Sequence, residues 1–325
     1  MNSLVLVNPV SSGGRGARVW SHIEPAMRNG RPGLQVHLTR GPDDAERVTR
    51  EWAADGGVLL FVVGGDGTLH EAVNGLAGAG KLEAVCVTVI PAGTGNDFAR
   101  STGIRPGALP SPDAGELRVD LGRLRFETLE GRSRNRVFLN SASLGLSVRG
   151  NALAHRLRGR LPGAACYVLG GIGALLLERR ARRPMVRSRV DGRLVYEGRA
   201  LNLTVANGAT FGSGLPIAPG ASLRDGVLDQ VIVGDVGFWG ALHAFLKLMR
   251  GTHLELASVR QTGGRTVEIE IDGAIAIEAD GYMLAGKGPI RVEVLPGALR
   301  ATCPAQLSAA PRDAGTRPWP APAGP

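Results

Sequence analysis

The stretch VVGGDGTLHEAVNGL, residues 62–76, places glycines on both sides of an aspartate, between an apolar run and a segment of helical periodicity. Glycine tolerates positive φ and has no Cβ, so consecutive backbone N–H groups can close around phosphate oxygens. A following helix adds its positive N-terminal end. Asp66 would repel a bare anion, but it suits a Mg²⁺ ion bound between its carboxylate and a polyphosphate. Gly64, Gly65, Asp66 and Gly67 therefore predict a metal-assisted phosphate site.

A structural explanation competes for two residues of this stretch. Thr68 and Glu71 have the S/T-x-x-E/Q spacing of a helix capping box, followed by a buried apolar stripe. Under this alternative both residues only mark the start of a helix. The capping box does not explain the presence of Asp66.

Two further loops share the design of the first. One follows the apolar run at the N-terminus, and the other follows residues 85–90. Their residues are Asn8, Pro9, Val10, Ser11, Ser12, Gly13 and Gly14, and Pro91, Gly93, Thr94, Gly95, Asn96 and Asp97. None of the three loops has the G-x-x-x-x-G-K-[ST] or G-x-G-x-x-G pattern. Since ligands bind at the carboxyl ends of parallel strands, the loops after residues 58–63 and 85–90 could converge on one nucleotide, and the N-terminal loop repeats their design. The motifs alone indicate a phosphate-binding α/β domain.

The first third of the chain alternates strand-like and helix-like segments. Residues 4–7, 58–63 and 84–90 are apolar almost throughout, as expected for strands that are covered on both faces. Amphipathic segments such as ARVWSHIEPAM and DDAERVTREWAAD lie between the strands. This order predicts an α/β domain with a parallel sheet.

The pattern changes from about Val119, where charged residues alternate with β-branched ones, as in RTVEIEI and PIRVEVL. The alternation is typical of half-exposed antiparallel strands and predicts a β-rich, sandwich-like second domain. Helices are predicted within 151–180 and over FWGALHAFLKLMRG. The predicted boundaries are 1–122 for the α/β domain, 123–303 for the β-rich domain, whose last strand can return to the first, and 304–325 for a disordered Ala/Pro-rich tail.

The composition of the chain limits its possible domain number, cellular compartment and binding partners. The chain has 325 residues, 43% of them hydrophobic, which is enough for two cores. Its three cysteines have neither disulfide nor zinc spacing, and the N-terminus lacks a secretory signal, so a cytoplasmic protein is expected. The net charge of +9 suits an anionic membrane, nucleic acid or a phosphorylated substrate, or is simply a solvated basic surface. With 4% aromatic residues, we expect no nucleic-acid recognition.

Three segments in this order, NPVSSGG, GGDGTLHEAVNGL and PAGTGNDFAR, resemble the diacylglycerol kinase catalytic domain, specifically the bacterial lipid kinases related to sphingosine and ceramide kinases. GGDGT alone is shared with NAD kinases and phosphofructokinases, and the GTGNDF loop separates the families. The resemblance continues through RVFLNSASLG, VANGATFGSGLPIAPGASLRDGVLDQVIV and VEVLPGALRATCP, and covers nearly everything except the tail. It implies a two-domain fold of the NAD kinase and diacylglycerol kinase type.

The resemblance implies that ATP binds in a cleft between the two domains, together with Mg²⁺. Asp66 would lie near the metal as a catalytic residue, and His70 stands where many members have asparagine. The implied nucleotide-binding residues, with their loop neighbours, are Asn8, Pro9, Val10, Ser11, Ser12, Thr39, Gly64, Gly65, Asp66, Gly67, Thr68, Leu69, His70, Glu71, Thr94, Asn96 and Asp97.

A second, structural Mg²⁺ is implied in the segment ASLRDGVLD. Asp225 would hold it together with backbone oxygens near Ser222 and Val227. The alternative is that Asp225 and Gly226 form an ordinary hairpin turn.

The family's proposed base lies in a D-G-E motif, which here reads Asp280, Gly281, Tyr282. We assign Asp280 as the catalytic base, with tyrosine in place of the family's glutamate. Asp272 and Gly273 offer a second Asp-Gly pair between two alternating segments, and we interpret that pair as a tight hairpin turn.

The apolar segment 161–177 is bordered by arginines on both sides: Arg156, Arg158 and Arg160, and Arg179, Arg180, Arg182 and Arg183. It is shorter than the roughly 20 residues of a spanning helix and contains Pro162. We expect a peripheral surface that faces an anionic membrane and admits acyl chains. A buried helix with basic ends is the alternative. For the oligomeric state, a homodimer is one alternative.

The resemblance thus implies an ATP-dependent kinase that phosphorylates a lipid hydroxyl of the diacylglycerol or sphingoid type. One alternative is a soluble-substrate kinase of the NAD kinase type, which needs neither GTGNDF nor an apolar segment between arginines. The other is a catalytically weak lipid-binding homologue, and Tyr282 is the reason to consider it.

Overall fold

The structure is a computed structural model that describes residues 2–105, 114–157, 163–178 and 183–304. The chain divides into two compact units. The first unit comprises Met1–Asp120 and a segment that begins at Gly297, and the second comprises Leu121–Pro296. The sequence predicts this boundary at 122 and a tail from 304, of which all but Pro304 lies outside the described residues.

The first unit is an α/β domain. Its elements are β1 (Ser3–Val7), α1 (Ser11–Asn29), β2 (Gln35–Leu38), α2 (Asp44–Ala54), β3 (Leu59–Gly64), α3 (Asp66–Gly78), β4 (Cys86–Pro91) and α4 (Asp97–Ser101). The strands are parallel in the order β4-β3-β1-β2. The parallel α/β prediction is therefore confirmed.

Buried side chains explain why these strands read as apolar runs. Val5, Val7, Phe61 and Val63 pack in one cluster with Trp20 of α1. All five residues of β1 are buried. A strand that is covered on both faces has apolar residues throughout, whereas a half-exposed strand alternates apolar and polar residues.

The second unit is rich in antiparallel strands. Its elements are β5 (Gly115–Glu127), which begins in the first unit, β6 (Ser133–Phe138), β7 (Ser141–Gly145), α5 (Leu146–Leu157), α6 (Gly163–Glu178), β8 (Met185–Val190), β9 (Arg193–Ala206), β10 (Leu228–Gly234), α7 (Phe238–Leu248), a 3-10 helix (His253–Glu255), β11 (Val259–Gly264), β12 (Thr266–Ile271), β13 (Ala274–Ala279) and β14 (Tyr282–Cys303). The end of β14 returns to the first unit, where Arg300 pairs with Cys86 of β4.

The strand pairings of the second unit close into a ring. Among the described residues the ring runs β7-β9-β8-β12-β14-β13 and back to β7, with β10 and β11 attached beside β9. Long strands make the closure: β14 pairs first with β13 and then with β12, while β9 pairs with β8 and then with β7. The domain is β-rich as predicted, but the sequence pattern did not predict a closed ring.

Ion pairs account for the charged alternation of these strands. Val267, Ile269 and Ile271 of β12 are buried in the core, whereas Glu268 and Glu270 point outward. Glu268 pairs with Arg291 at 2.9 Å and Glu270 with Arg189 at 2.5 Å. Such exposed pairs each contribute about 1 kcal/mol at most, so the buried face supplies most of the stability.

The helices of the second unit follow the sequence prediction in outline. The region predicted as helical within 151–180 contains α5 and α6, and FWGALHAFLKLMRG contains α7. Within the described ranges, no helix combines the length and the apolar character needed to cross a bilayer. Arg158, Arg160, Arg179, Arg180 and Arg182 lie outside the described residues, as do residues 161–162 of the apolar segment.

Gly145 is the last residue of β7 and directly precedes α5. We expect the change Gly145→Ala to lower the free energy of unfolding. The φ of Gly145 is +92°, and an added Cβ would lie 2.5 Å from the carbonyl oxygen of Leu201. Left-handed strain costs about 1–2 kcal/mol and overpacking about 1–3 kcal/mol more. Urea unfolding measures the loss.

The matched control is Gly192→Ala, where φ is +78° but a Cβ would meet nothing within 4 Å. This control carries the strain without the clash. Equal losses of stability in the two variants would contradict the role of the Leu201 contact.

Candidate functional site

Three loops leave the carboxyl ends of the neighbouring strands β1, β3 and β4, and they contact one another. The first and second loops meet where Asn8 Nδ2 donates a hydrogen bond to Thr68 Oγ1 at 2.9 Å. The first and third meet where the Oγ atoms of Ser12 and Thr94 are 2.6 Å apart. The structure thus brings together the three loops that the sequence selected.

The second and third loops touch through glycines. A Cβ on Gly65 would lie 2.9 Å from Cα of Gly93, and a Cβ on Gly93 would clash with Gly65 in turn. The side chain of Asn96, whose φ is +52°, closes the third loop: Oδ1 accepts from Gly93 N at 3.0 Å, and Nδ2 donates to Gly93 O at 2.9 Å. Backbone, rather than side chains, therefore forms this junction.

The start of α1 is not helical. Ser12, Gly13 and Gly14 have left-handed φ values of 45°, 65° and 87°. An added Cβ at Gly13, Gly14 or Gly67 would meet nothing within 4 Å, so the backbone at these positions borders open space. Exposed backbone without side chains is the arrangement that lets N–H groups approach phosphate oxygens.

Asp66 is the first residue of α3, directly after Gly65 as N-cap. Its Oδ1 accepts a hydrogen bond from Phe98 N of α4 at 3.1 Å. The carboxylate is therefore oriented at the junction of the second and third loops, where an oxygen ligand for a hard cation is useful.

The capping box proposed for Thr68 and Glu71 is not formed. Since α3 begins at Asp66, Thr68 lies inside the helix and is buried, with its hydroxyl bonded to Asn8. Burial raises the pKa of Glu71, and hydrogen bonds from the backbone of Asp43 and Ala45 act against the rise. Glu71 thus connects α3 to the start of α2.

Other residues selected from the sequence are placed inside the first unit. Leu69 and His70 are fully buried in α3. Asp97 is buried and forms an ion pair with Arg100 at 2.7 Å. Thr39 follows β2, and its backbone N–H donates to Val7 at 2.8 Å. The nucleotide-binding assignments of these residues stay predictions.

The segment with the predicted structural Mg²⁺ forms a compact loop before β10. Asp225 Oδ1 accepts from Val227 N at 3.0 Å, and Ser222 Oγ accepts from Arg224 N at 3.3 Å. Within the described residues, no group of three or more His, Cys, Asp or Glu side chains could hold a metal. Any cation here would rely on one carboxylate with hydroxyl or backbone oxygens, a donor set that suits Mg²⁺ or Ca²⁺.

The two Asp-Gly pairs differ in a way that corrects the sequence interpretation. Asp280 and Gly281, with φ values of 50° and 86°, form the two-residue hairpin between β13 and β14, where Ala279 pairs with Tyr282. Asp272 and Gly273 join β12 to β13, which pair with β14 but not with each other. The prediction of a hairpin at Asp272 is therefore wrong, because the strands on either side of this turn, β12 and β13, each pair with the long strand β14.

The carboxylate of Asp280 holds the hairpin tip against the segment between β6 and β7. Oδ2 accepts from Leu139 N at 2.7 Å, and Oδ1 accepts from the N–H groups of Asn140 at 2.8 Å and Ser141 at 3.2 Å. Asp280 is 8% exposed. Both oxygens are thus engaged, and the assignment of Asp280 as a base stays a prediction.

Sequence reasoning missed several polar residues around this hairpin. Glu278, 3% exposed, accepts hydrogen bonds from Asn151 Nδ2 and Gly281 N, each at 2.6 Å. The guanidinium of Arg136 lies 4.6 Å from the ring centroid of Tyr282. The available signal was a glutamate in the otherwise apolar strand AIAIEA.

The second unit also contains an apolar cavity, which the sequence did not reveal. It lies between α5, α6 and α7 and the strands β9, β10 and β11, opens to solvent, and encloses about 80 Å³. Leu146, Phe211, Phe245 and His253 are among the lining residues.

We expect Asp280→Asn to lower the free energy of unfolding by about 1–3 kcal/mol. An amide has one acceptor oxygen and would turn its NH₂ group toward a buried backbone donor, leaving that donor unsatisfied. Thermal and urea unfolding measure the loss. Asp272→Asn, at an exposed position, is the control and should be nearly silent. Equal stability of the two variants would show that the Asp280 carboxylate does not anchor the hairpin.

Comparison with known proteins assigns both halves of the chain. Residues 2–118 match the family described as the diacylglycerol kinase catalytic domain, and residues 140–303 match the YegS C-terminal NAD kinase beta sandwich-like domain. A crystal structure of a diacylglycerol kinase from Bacillus anthracis shares the fold, with a TM-score of 0.65, 23% identity, and coverage of 92% of this chain and 96% of that one.

Two relatives extend the match. The "Probable lipid kinase YegS-like" of Pseudomonas aeruginosa is 32% identical over 86% of this chain and 88% of its own length. A protein of Mycobacterium tuberculosis named "Diacylglycerol kinase" is 31% identical over 92% of this chain and 94% of its own. Together with the converging glycine loops, these matches show that the chain belongs to the diacylglycerol kinase catalytic domain family and is a kinase that transfers a phosphoryl group to an alcohol.

Proposed function

We propose that this kinase transfers the γ-phosphoryl group of ATP to a hydroxyl group of a membrane lipid of the diacylglycerol or sphingoid type. The names of its relatives in Pseudomonas aeruginosa and Mycobacterium tuberculosis support a lipid acceptor. The single observation that carries the proposal is the apolar cavity of the second unit, because its walls suit the hydrocarbon part of a lipid. This observation favours a lipid kinase over a soluble-substrate kinase of the NAD kinase type.

The three loops of the first unit support binding of the nucleotide phosphates. Backbone N–H groups of Gly13, Gly65 and Gly67 would donate hydrogen bonds to phosphate oxygens. The backbone at Gly13 and Gly67 borders open space in which phosphate groups can lie. When bound, ATP supplies the phosphoryl group, and Mg²⁺ neutralises its charge. Asp66, oriented by Phe98 N, is the residue that would hold that cation.

A structural cation near Asp225 is a separate part of the proposal. The oxygen atoms of Ser222, Asp225 and Val227 have the right chemistry for a hard cation. Asp225 Oδ1 also accepts a hydrogen bond from Val227 N, and the carboxylate together with backbone carbonyls would provide the ligands.

Two roles are open for Asp280. As a base it would accept the proton of the attacking lipid hydroxyl, as the family resemblance implies. Its hydrogen bonds from Leu139, Asn140 and Ser141 favour a positioning role, because proton transfer to either oxygen competes with a backbone donor. Tyr282, in the place of the family's glutamate, keeps a catalytically weak homologue as the second candidate.

Exposed apolar side chains on two neighbouring helices support peripheral contact with a membrane. On α6, Leu169, Ile172, Leu176 and Leu177 are exposed, with Leu177 at 63%. On α7, Trp239 is 77% exposed. A surface helix with apolar side chains facing water is typical of an interfacial contact, and the net charge of +9 would favour anionic lipids.

Asp66→Asn should reduce phosphorylation of lipid by at least about 100-fold. The amide keeps an acceptor for Phe98 N but loses the charge that would hold the cation. Losing this charge removes several kcal/mol of transition-state stabilisation, and each 1.4 kcal/mol corresponds to a tenfold change in rate. Radiolabelled ATP with Mg²⁺ and mixed lipid vesicles measures turnover. Asp55→Asn, at an exposed site after α2, is the matched control. Normal turnover in Asp66→Asn would refute the role of this loop.

The pair of changes Leu176→Gln and Leu177→Gln should weaken binding to anionic vesicles by about tenfold or more. Each leucine transferred from water to the bilayer interface contributes on the order of 1 kcal/mol. Binding should also fall as salt rises, because screening reduces the attraction between the basic protein and the lipids. Vesicle sedimentation measures both effects.

The control for this test is the pair Leu129→Gln and Leu194→Gln, which are each 51% exposed and lie outside α6 and α7. Unchanged binding of the α6 pair, or equal weakening by the control pair, would assign these exposed leucines to ordinary surface.

A further inference from the structure

Glu278 of β13 is a carboxylate in an otherwise apolar and buried part of the second unit. It is 3% exposed, and the residues on either side of it in the strand, Ile277 and Ala279, are fully buried. A carboxylate at such a position is costly unless hydrogen bonds stabilise it, and apolar side chains fill buried positions without this cost. The contacts of the carboxylate therefore indicate its role.

The two oxygens of Glu278 contact two different elements of the second unit. Oε1 accepts a hydrogen bond from N of Gly281, at the tip of the hairpin between β13 and β14. Oε2 accepts one from Nδ2 of Asn151, on α5. Both bonds are 2.6 Å long, and hydrogen bonds to a charged acceptor are stronger than those between neutral groups. Glu278 thus ties the helix to the hairpin tip.

The last turn of α5 lies beside the same hairpin tip. His155 follows Asn151 by four residues, so the two side chains share one face of the helix. Nε2 of His155 lies 3.9 Å from the position that a Cβ on Gly281 would take. This face of α5 therefore packs against the hairpin, and the carboxylate of Glu278 provides the hydrogen bonds that join them.

The tip that Glu278 holds also carries Asp280. The Asp280 carboxylate joins the tip to the segment 139–141 through hydrogen bonds from three backbone N–H groups. The helix on the other connection, α5, contributes Leu146 and Gly150 to the lining of the apolar cavity. Two carboxylates, two residues apart, thus connect the hairpin to a backbone segment and to a helix that borders the cavity.

We propose that Glu278 is a positioning residue of the kinase, which fixes the hairpin tip and Asp280 relative to α5. The inference rests on the proposed lipid kinase function, in which Asp280 acts as the base or as a positioning group. Glu278 itself exchanges no proton with the lipid and acts through Gly281 and Asn151. Because a misplacement of about 1 Å can lower a rate about 100-fold, loss of this link lowers kcat.

The change Glu278→Met removes both acceptors and should lower kcat for phosphorylation of dioctanoylglycerol by about 10- to 100-fold. KM for ATP should change less than about twofold, since the link contains no residue of the three loops of the first unit. Glu278→Gln should keep most of the rate. Its oxygen can accept from Gly281 N, and its NH₂ group can donate to the oxygen of Asn151 once that amide turns.

The control for lost stability is Val267→Ala, at a fully buried position of β12. It leaves a cavity in the core of the second unit and destabilises the fold, but it touches neither α5 nor the hairpin contacts of Glu278, so kcat of the folded protein should stay unchanged. A fall in kcat as large as that of Glu278→Met would show that any loss of stability lowers the rate, and would contradict the positioning role.

A second variant, Asn151→Leu, tests whether the two residues act as a pair. It should lower kcat about threefold or more in the wild-type background and have little further effect together with Glu278→Met, because the link is then already lost. Additive losses would contradict the inference. Equal losses in Glu278→Gln and Glu278→Met would also contradict it, since they would show that the charge acts directly rather than through the two hydrogen bonds.

Hydrogen exchange without ATP or lipid measures the position of the hairpin independently of activity. The amides of Leu139, Asn140 and Ser141, which donate to Asp280, should exchange about tenfold faster in Glu278→Met and near the wild-type rate in Glu278→Gln. Unchanged exchange in Glu278→Met would overturn the role of Glu278 in holding the tip.

The two assays separate this inference from the proposed function. If exchange changes as expected but the wild-type protein phosphorylates no lipid, the role of Glu278 at the hairpin stands and the proposed function fails. If the wild-type protein phosphorylates lipid and Glu278→Met keeps its kcat, the proposed function stands and the positioning role fails.

Discussion

The backbones of Gly65 and Gly93 approach so closely that neither position has room for a Cβ atom. This constraint sets the geometry of the first unit, because it fixes how the loops after β3 and β4 meet. Asn96 then closes the third loop on Gly93, and Phe98 N reaches the carboxylate of Asp66. The loop after β1 joins the pair through Ser12 and Thr94. A side chain at the junction would separate the loops after β3 and β4.

A buried carboxylate plays the corresponding part in the second unit. The carboxylate of Asp280 accepts hydrogen bonds from three backbone N–H groups, and these local dipoles stabilise its charge. The ion pairs on the outer face of the ring, such as Glu268 with Arg291, are exposed and contribute little. The position of the hairpin tip therefore depends on the polar groups inside the unit, while the outer charges keep the strand faces solvated.

The sequence predicts those features that follow from local pattern. Apolar strands without alternation indicated a parallel sheet, and the loops after β1, β3 and β4 were found because parallel strands bring their carboxyl ends to one edge. Local pattern could not distinguish the two Asp-Gly turns, since both are flanked by strands and only the pairing of β14 separates them.

The cavity was missed for a related reason. Its walls come from residues between Leu146 and Val259, spread over three helices and three strands, so no window of sequence contains it.

The second unit is inserted into the first: the chain leaves at Asp120 and returns at Gly297, whose N–H donates to Asp120 Oδ1 at 2.6 Å. Among the strands of the described residues, only the end of β14 covers the outer edge of β4, where Arg300 pairs with Cys86. On the ribosome, the sheet of the first unit therefore cannot be completed until the inserted unit has been synthesised. Contacts this distant in sequence form slowly, and unpaired strand edges favour aggregation. Early folding of the inserted unit, which brings the two ends together, would shorten the time for which that edge is exposed.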